Sequence, residues 1–475
     1  MVSLKTLKES SMAKREQYEY PSELREEFEA TDDIHFRDGS RATAADIWHF
    51  MTEVAPKKYP FAYTQKKYAG GRLSRDIHLP SAIKHNYLLL TMNDRINKSR
   101  ENGAPVIFVQ GGQSVDPYYA AGGIALRPAS VGIWARGRHE GLGLNEEVVR
   151  SHKQKEKANH AISFEVCQSA GYEHIQEGDL PVDMVAPYTC LRCSDISYGV
   201  EAHRHGPNKA VKLMNIDYPM RHQADKPWAV TYFAQNLRRL TSEIAKRAGR
   251  EVTDEDLSKE IKLHNEGRRL AIDTAELWWS ADVPPTNSVD RRALYQMGGM
   301  EVHGDPSASL TVLRESNAYI RDRVKRGIKA DGVIDKPIRL FVCGSCVSPN
   351  AFRIEEAGAI IVGQDNHWSD ISTLVKEEGD PYQNLAHAIL SYPYEQSVEG
   401  RAAWTVEQLK KSRADGVLFL YKWGCNTQSA IARMLCDTVK REIAIPTMII
   451  EDHEGGSEQS EQMLNRVNAF IEMLG

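Results

Sequence analysis

Residues 338–346 read IRLFVCGSC, a short apolar run that stops abruptly at Gly, Ser and Cys. Three later runs have the same form: AIIVGQ at 359–364 before DNH, GVLFLY at 416–421 before KWGC, and TMIIE at 447–451 before DHEGG. Helical patterns lie between the runs or follow them, at 405–413, 429–441 and 460–474. Short buried strands that alternate with helices are typical of βα units around a parallel sheet.

An earlier part of the chain has three runs of the same kind: PVIFVQ at 105–110, DMVAPY at 183–188 and AVKLMNID at 210–217. Between the two sets, Thr253 and Asp256 stand at capping-box spacing before a predicted helix to about residue 277. We therefore predict an α/β protein with two doubly wound parallel-sheet lobes joined by a helical segment. The predicted division is an N-terminal extension (1–100), a first lobe (101–227), a helical connector (228–330) and a second lobe (331–475).

The composition of the 475 residues is that of an ordinary globular protein, with 41% apolar and 26% charged residues. The net charge of −5 and the lack of a polybasic run argue against nucleic-acid binding. No apolar stretch approaches the length of a membrane span. The first twenty residues lack the apolar core of a signal peptide, so we expect a cytoplasmic protein.

The cysteines follow the predicted strands. Ligands of open α/β sheets bind beyond the carboxyl ends of the strands, and five of the seven cysteines stand there: Cys190, Cys193, Cys343, Cys346 and Cys425. Cys167 lies upstream of one such run, and Cys436 falls within a helical pattern where a buried thiol is expected. Thiols at the mouths of two lobes suit an iron–sulfur cluster in the cleft between them. Spacing alone leaves a zinc site, a redox dithiol and inert core residues open.

Several segments resemble the 2-hydroxyacyl-CoA dehydratase / benzoyl-CoA reductase family, and together they cover most of residues 101–475. They are PVIFVQGGQSVDPYYAAGGIALRP, LSKEIKLHNEGRRL, DMVAPYTC, DGVLFLYKWGCNTQSA, IPTMIIEDHEGG and EQMLNRVNAFIEML. The KWGCN and AFIEML portions are the most specific. The resemblance implies an oxygen-sensitive enzyme subunit that holds one [4Fe–4S] cluster.

Carried over residue by residue, the resemblance implies that Cys167, Cys190 and Cys425 are the three cluster ligands. Cys193 is a substitute for Cys190, because a one-step gap in matching this loop to the family pattern would exchange the two cysteines. The CGSC sequence departs from the family pattern, so Cys343 and Cys346 are expected either to line the cleft or to act as extra ligands of a larger cluster.

The resemblance also implies a substrate and partners. The substrate is an acyl-CoA, and the reaction is radical chemistry at its thioester, most directly the dehydration of a 2-hydroxyacyl-CoA. Benzoyl-CoA-type ring reduction, an electron-relay subunit and an altered-cluster reductase of small molecules are the alternatives. The expected partners are a second homologous subunit and a separate ATP-hydrolysing iron–sulfur activator, since the chain has no GxxxxGK[ST] segment.

Two polar residues are weaker candidates for substrate binding. Ser114, in GGQSVDP, follows the first strand of the first lobe, and His367, in DNHW, follows a strand of the second lobe. Ser is also an ordinary turn residue, and a surface or helix-capping position is the more common role for a histidine such as His367.

Overall fold

The computed structural model describes residues 20–59, 74–109, 113–126, 182–186, 210–217, 219, 223–299, 302–344, 351–422, 426–452 and 461–475. For a few positions inside these ranges it describes the backbone alone. The strands are β1 Ile34–His35, β2 Arg41–Ala42, β3 Val106–Val109, β4 Ile124–Leu126, β5 Met184–Ala186, β6 Lys212–Leu213, β7 Ile338–Gly344, β8 Ala359–Gln364, β9 Gly416–Lys422 and β10 Thr447–Asp452.

Two four-stranded sheets form the centres of two lobes, with strand orders β4-β3-β5-β6 and β8-β7-β9-β10. Every neighbouring pair in both sheets is parallel. The two orders are the same, because in each lobe the second strand flanks the first on one side and the third strand flanks it on the other. The direction of winding therefore reverses between β3 and β5 and between β7 and β9, and such a switch point opens a crevice at the carboxyl ends.

Each sheet is buried on both faces, as the sequence predicts for doubly wound lobes. Successive side chains of a strand point to opposite faces of the sheet. Alternate residues of the strands therefore pack in different hydrophobic cores, one on each face of the sheet. In β7, Leu340 and Val342 join the core that includes the C-terminal helix. Phe341 and Cys343 join the core on the opposite face. The predicted fold class of two parallel-sheet lobes is thus confirmed.

Helices surround and connect the sheets. They are Arg25–Glu29, Ala44–His49, Ala55–Lys58, Pro80–Leu90, Met92–Glu101, Asp116–Ala120, Pro227–Arg247, Asp254–Ser280, Ser288–Gln296, Pro306–Arg326, Ala351–Glu356, Asp365–Ile371, Pro381–Leu390, Val398–Ser412, Asn426–Ile443 and Glu461–Leu474, with a π-helical turn at Phe50–Val54 and 3₁₀ turns at Ser22–Leu24 and Pro393–Glu395. None of the helices that the structure describes is long and apolar enough to span a membrane.

The long helix Asp254–Ser280 connects the two lobes. It begins at the predicted capping box, in which the Thr253 hydroxyl accepts a hydrogen bond from the Asp256 backbone N–H at 3.2 Å and the Asp256 carboxylate accepts one from Thr253 N–H at 2.8 Å. Leu257, near its N-terminal end, packs in the core of the first lobe, and Trp278, near its C-terminal end, packs in that of the second. One rigid element therefore fixes side chains in both lobes.

The packing of some segments does not follow their order along the chain. The helix Pro381–Leu390 comes after β8 but packs in the core of the first sheet, against the helix Pro227–Arg247. Residues 20–59 and the helix Pro80–Leu90 pack against the helix Pro306–Arg326 in a core of their own. The division of the chain at residues 100, 227 and 330 remains a prediction.

Candidate active site at the ends of the two sheets

Of the candidate ligands, Cys167, Cys190, Cys193, Cys346 and Cys425 lie outside the described residues, so their assignment remains a prediction. Cys343 and Ser114 lie within the described part of the chain. For His367 the structure describes only the backbone, which lies in the first turn of the helix Asp365–Ile371, directly after β8. The role of His367 also remains a prediction.

The strand ends on either side of each switch point are described. In the first lobe β5 ends at Ala186, and in the second lobe β9 ends at Lys422. These are the third strands of their lobes and occupy equivalent positions in the two sheets. In the sequence, Cys190 follows Ala186 by four residues and Cys425 follows Lys422 by three.

Gln113 bridges the switch point of the first lobe. Its side-chain Nε2 donates a hydrogen bond of 2.8 Å to the carbonyl of Ala186, the last residue of β5. The Tyr118 hydroxyl donates to Gln113 Oε1, which fixes the orientation of the amide. The loop after β3 is thereby tied to the end of β5. Gln113 was not predicted from the sequence, although its place in GGQ directly after a strand was a signal for it.

Ser114 belongs to a buried polar network at the same end of β3. Its hydroxyl donates to the Asp116 carboxylate and accepts a hydrogen bond of 3.2 Å from Arg268 Nη2. Arg268 also donates to Asp116 Oδ2 at 2.8 Å and to Asn265 Oδ1 at 3.1 Å. Ser114, Asp116 and Arg268 are buried. In this geometry the Ser114 hydroxyl is committed to the network, which fixes the turn that follows β3.

The protonation states in this network follow from burial and charge. Burial by itself raises the pKa of the Asp116 carboxyl, but Arg268 and the nearby His264 hold that pKa below its ordinary value. Burial lowers the pKa of His264, so its ring is neutral at pH 7. His264 Nδ1 lies 2.9 Å from the Glu260 carbonyl oxygen, and Nε2 has no hydrogen-bond partner among the described residues. His264 comes from the middle of the long helix, and no local motif indicated it.

The switch point of the second lobe depends on a close approach of two backbones. Gly344, the last residue of β7, has φ of 120°, and a Cβ built there would lie 1.8 Å from the Leu420 carbonyl oxygen in β9. Only glycine fits this position without movement of one strand. The G of CGSC is therefore required by the sheet itself.

A buried ion pair holds the strand ends of the second lobe together. Asp365, directly after β8, accepts a hydrogen bond of 3.0 Å from Gly344 N–H and pairs with Arg401. Arg401 donates from Nη1 to Gln428 Oε1 at 3.0 Å. Gln428 lies in the first turn of the helix Asn426–Ile443, which follows the KWGC sequence. One guanidinium thus connects the ends of β7 and β8 to the segment just after Cys425.

Cys343 is a core residue on the face of the second sheet opposite the C-terminal helix, and 1% of its surface is exposed. Its thiol hydrogen-bonds to the Asp365 carboxylate, and burial raises its pKa well above the ordinary value. Cluster ligands are thiolates, so this environment favours a neutral S–H at Cys343 over a ligand.

The fit of an iron–sulfur cluster differs among the candidate thiols. Among the described residues no group of three or more His, Cys, Asp or Glu side chains is arranged to hold a metal ion. The buried environment of Cys343 favours the neutral thiol, and its role as an extra ligand remains a prediction. The described strands that precede Cys190 and Cys425, β5 and β9, occupy equivalent positions in the two sheets, and ligands of such sheets bind beyond the carboxyl ends of the strands. The donor chemistry at those two positions fits a cluster.

Comparison with known proteins gives the family. A model described as 2-hydroxyglutaryl-CoA dehydratase, D-component, matches residues 118–474. The chain is 26% identical over 246 residues to one of the subunits of benzoyl-CoA reductase from Thauera aromatica, a match that covers 49% of this chain and 59% of that protein. It is 25% identical over 278 residues to YjiM of Escherichia coli (strain K12), which is named as a dehydratase subunit. That match covers 56% of this chain and 68% of that protein. The match over most of its length shows that the chain belongs to the 2-hydroxyglutaryl-CoA dehydratase D-component family.

Proposed function

We propose that this chain is a subunit of an ATP-activated [4Fe–4S] enzyme that performs ketyl-type radical chemistry on an acyl-CoA thioester, most directly the dehydration of a 2-hydroxyacyl-CoA. The main support is the pair of equivalent switch points, because the proposed ligands Cys190 and Cys425 follow the third strand of each lobe. The family match over residues 118–474 supports the reaction class.

The proposed cluster ligands are Cys167, Cys190 and Cys425, with Cys193 as a substitute for Cys190. These thiolates would hold the [4Fe–4S] cluster, which would supply low-potential electrons one at a time. The ligand loops need a stable geometry, since position and water exclusion are what the protein contributes.

The described residues hold the strand ends that precede two of the proposed ligands. Gln113 and the pair of Asp116 with Arg268 fix the loop after β3 relative to the end of β5. The pair of Asp365 with Arg401 does the same for the second lobe. Each pair is buried and neutral overall, so it adds rigid dipoles near the crevice without an uncompensated charge.

Partners are part of the proposal. Single electrons of low potential require a coupled source of energy, and the chain has no GxxxxGK[ST] segment for ATP. We therefore include a separate ATP-hydrolysing iron–sulfur activator and a second homologous subunit. Both relatives are named as subunits, which agrees with a heterodimer.

Ring reduction of the benzoyl-CoA type is the second candidate. It is favoured by the similarity to one of the benzoyl-CoA reductase subunits. Two further roles belong to the same proposal as alternatives: an electron-relay subunit whose partner binds the substrate, and an altered-cluster reductase of small molecules.

Turnover under strictly anaerobic conditions tests the proposal. The chain, its partner subunit, the activator and ATP are incubated with 2-hydroxyacyl-CoA thioesters or with benzoyl-CoA, and the products are analysed by mass spectrometry. Dehydration removes one water from the thioester, whereas ring reduction adds two electrons and two protons. If neither class of thioester changes in the complete system while the cluster is present, the proposal is wrong.

The chain alone with its activator distinguishes a catalytic subunit from a relay. Turnover without the second subunit assigns the substrate site to this chain. Turnover that requires the second subunit, together with reduction of this chain's cluster by the activator, assigns the relay role.

A further inference from the structure

Arg291 is a buried cation beside the aromatic residues that pack in the core of the second sheet. It lies on the helix Ser288–Gln296 and has 7% of its surface exposed. Its guanidinium carbon is 5.3 Å from the centre of the Trp278 ring and 5.7 Å from that of Tyr295. The Trp278 ring is itself held in place, because its N–H donates to Thr286 Oγ1 at 3.0 Å. The guanidinium is therefore enclosed by aromatic faces.

Arg291 has no hydrogen-bond acceptor and no carboxylate partner among the residues that the structure describes, and its Nε is enclosed and unsatisfied. The other deeply buried arginines are paired. Arg268, Arg323 and Arg401 each bind an aspartate. Arg323 is the closest comparison, since it also has 7% of its surface exposed but binds Asp76 and the Pro285 carbonyl, the latter at 2.9 Å.

Two further guanidiniums lie nearby, Arg339 over the Trp278 ring and Arg413 close to Arg339. Arg339, the second residue of β7, lies 5.2 Å from the Trp278 ring centre and donates to the Ser412 carbonyl at 2.8 Å. Arg413 donates to the Ala281 carbonyl at 2.9 Å. Both side chains donate hydrogen bonds to backbone carbonyls, which carry no net charge and so do not neutralise the guanidiniums. The carboxylate that faces the group is Asp415, and it accepts the backbone N–H of Arg339.

Burial and charge repulsion act on these arginines in the same direction. Burial, with Arg339 nearby, lowers the pKa of Arg291 to about 10. Burial, with Arg413 nearby, lowers the pKa of Arg339 to about 10. Both side chains remain charged at pH 7. A buried charge without a partner is destabilising, and contact with aromatic faces offsets only part of that cost.

We propose that Arg291, together with Arg339, forms a binding site for a small oxyanion, a phosphate or carboxylate group. The planar guanidinium has five N–H donors and matches the oxygens of either group in a bidentate manner. Arg339 lies near the amino end of β7, whereas the switch point lies at the carboxyl end of that strand. The inference does not depend on the proposed function.

Thermal unfolding of the full chain with and without inorganic phosphate tests the site, with ionic strength held constant by chloride. The wild-type midpoint is expected to rise with phosphate and to saturate, because a ligand of the folded state stabilises it. Arg291→Met removes the unpaired charge and keeps an apolar stem of similar length. It is expected to be at least as stable as wild type without phosphate and to show no response to it.

Arg323→Met is the matched control, because it removes a guanidinium of equal burial that is paired. It is expected to lower the midpoint and to keep the full phosphate response. Arg339→Met is the second variant, and it is expected to raise the phosphate concentration of half-maximal effect at least tenfold. Acetate in place of phosphate shows whether carboxylates also bind.

A midpoint that rises equally with chloride and phosphate would overturn the site. So would an Arg291→Met variant that loses stability like Arg323→Met and still responds to phosphate, because that outcome assigns Arg291 to aromatic packing alone.

Discussion

Replacement of Arg268 by methionine is expected to destabilise the first lobe strongly. The guanidinium is buried and donates to Asp116, Ser114 and Asn265 at 2.8, 3.2 and 3.1 Å. Loss of one partner of a buried ion pair costs about 3–5 kcal/mol, because the other charge is left without compensation. With an unfolding entropy of about 2.1 cal/mol/K per residue, a unit of about 150 residues would unfold about 10–16 °C lower.

The loss of stability caused by Arg268→Met is expected to increase with pH. In the wild type, Arg268 and His264 hold the pKa of Asp116 below its ordinary value against the effect of burial. Asp116 therefore contributes stability above the unfolded pKa of about 3.9, and that contribution is lost as the pH falls. Without Arg268, burial raises the pKa of Asp116 and favours the neutral carboxyl. The stability difference between wild type and variant should then be larger at pH 8 than at pH 5.

The assay is urea and thermal unfolding followed by circular dichroism at both pH values, with Asp116→Asn and the double variant completing a cycle. The pair of Arg314 with Glu266 provides the control. It has a similar N–O distance of 2.6 Å, but its side chains are 54% and 43% exposed, so Arg314→Met should change stability by less than about 1 kcal/mol. An Arg268→Met effect no larger than that of Arg314→Met, or strict additivity in the cycle, would refute the reasoning.

Two further variants concern the second lobe. Gly344→Ala places a Cβ against the Leu420 carbonyl oxygen at 1.8 Å, whereas Gly332, at φ of 75°, has open space around it. Gly344→Ala should therefore lower the thermal midpoint far more than Gly332→Ala, whose cost is about 1–2 kcal/mol. Equal effects of the two substitutions would contradict the close approach of β7 and β9. Cys343→Ala should keep the wild-type iron content, because the buried thiol favours its neutral form; iron loss in a folded Cys343→Ala protein would show that Cys343 is a ligand.

The strands of the second lobe could be predicted to within a residue or two, because each is an apolar run that ends in Gly, Asn or a polar residue. The capping box at Thr253 was equally local and was confirmed. The strand Ile124–Leu126 was missed, because three residues carry no periodicity.

The side-chain networks could not be predicted from one sequence. Arg268 and Asp116 are 152 residues apart in the chain, and Arg401 and Asp365 are 36 apart. Charged residues at such separations pair only because the sheets and the long helix bring them together. The sequence placed Ser114 correctly after the first strand of its lobe, but its hydrogen bond from Arg268, 154 residues away in the chain, follows from tertiary structure.

The content of iron and acid-labile sulfide per chain after strictly anaerobic purification tests the central claim most directly. About four irons, lost in Cys425→Ser and retained in Cys436→Ser, are the result expected for one [4Fe–4S] cluster on three thiolates. Cys436 is buried in the core of the second lobe, so it serves as the matched thiol control. About eight irons would bring in the CGSC cysteines as ligands of a larger cluster. Zinc, or no metal with free thiols, would contradict the proposed function and leave the family and the two-lobed fold.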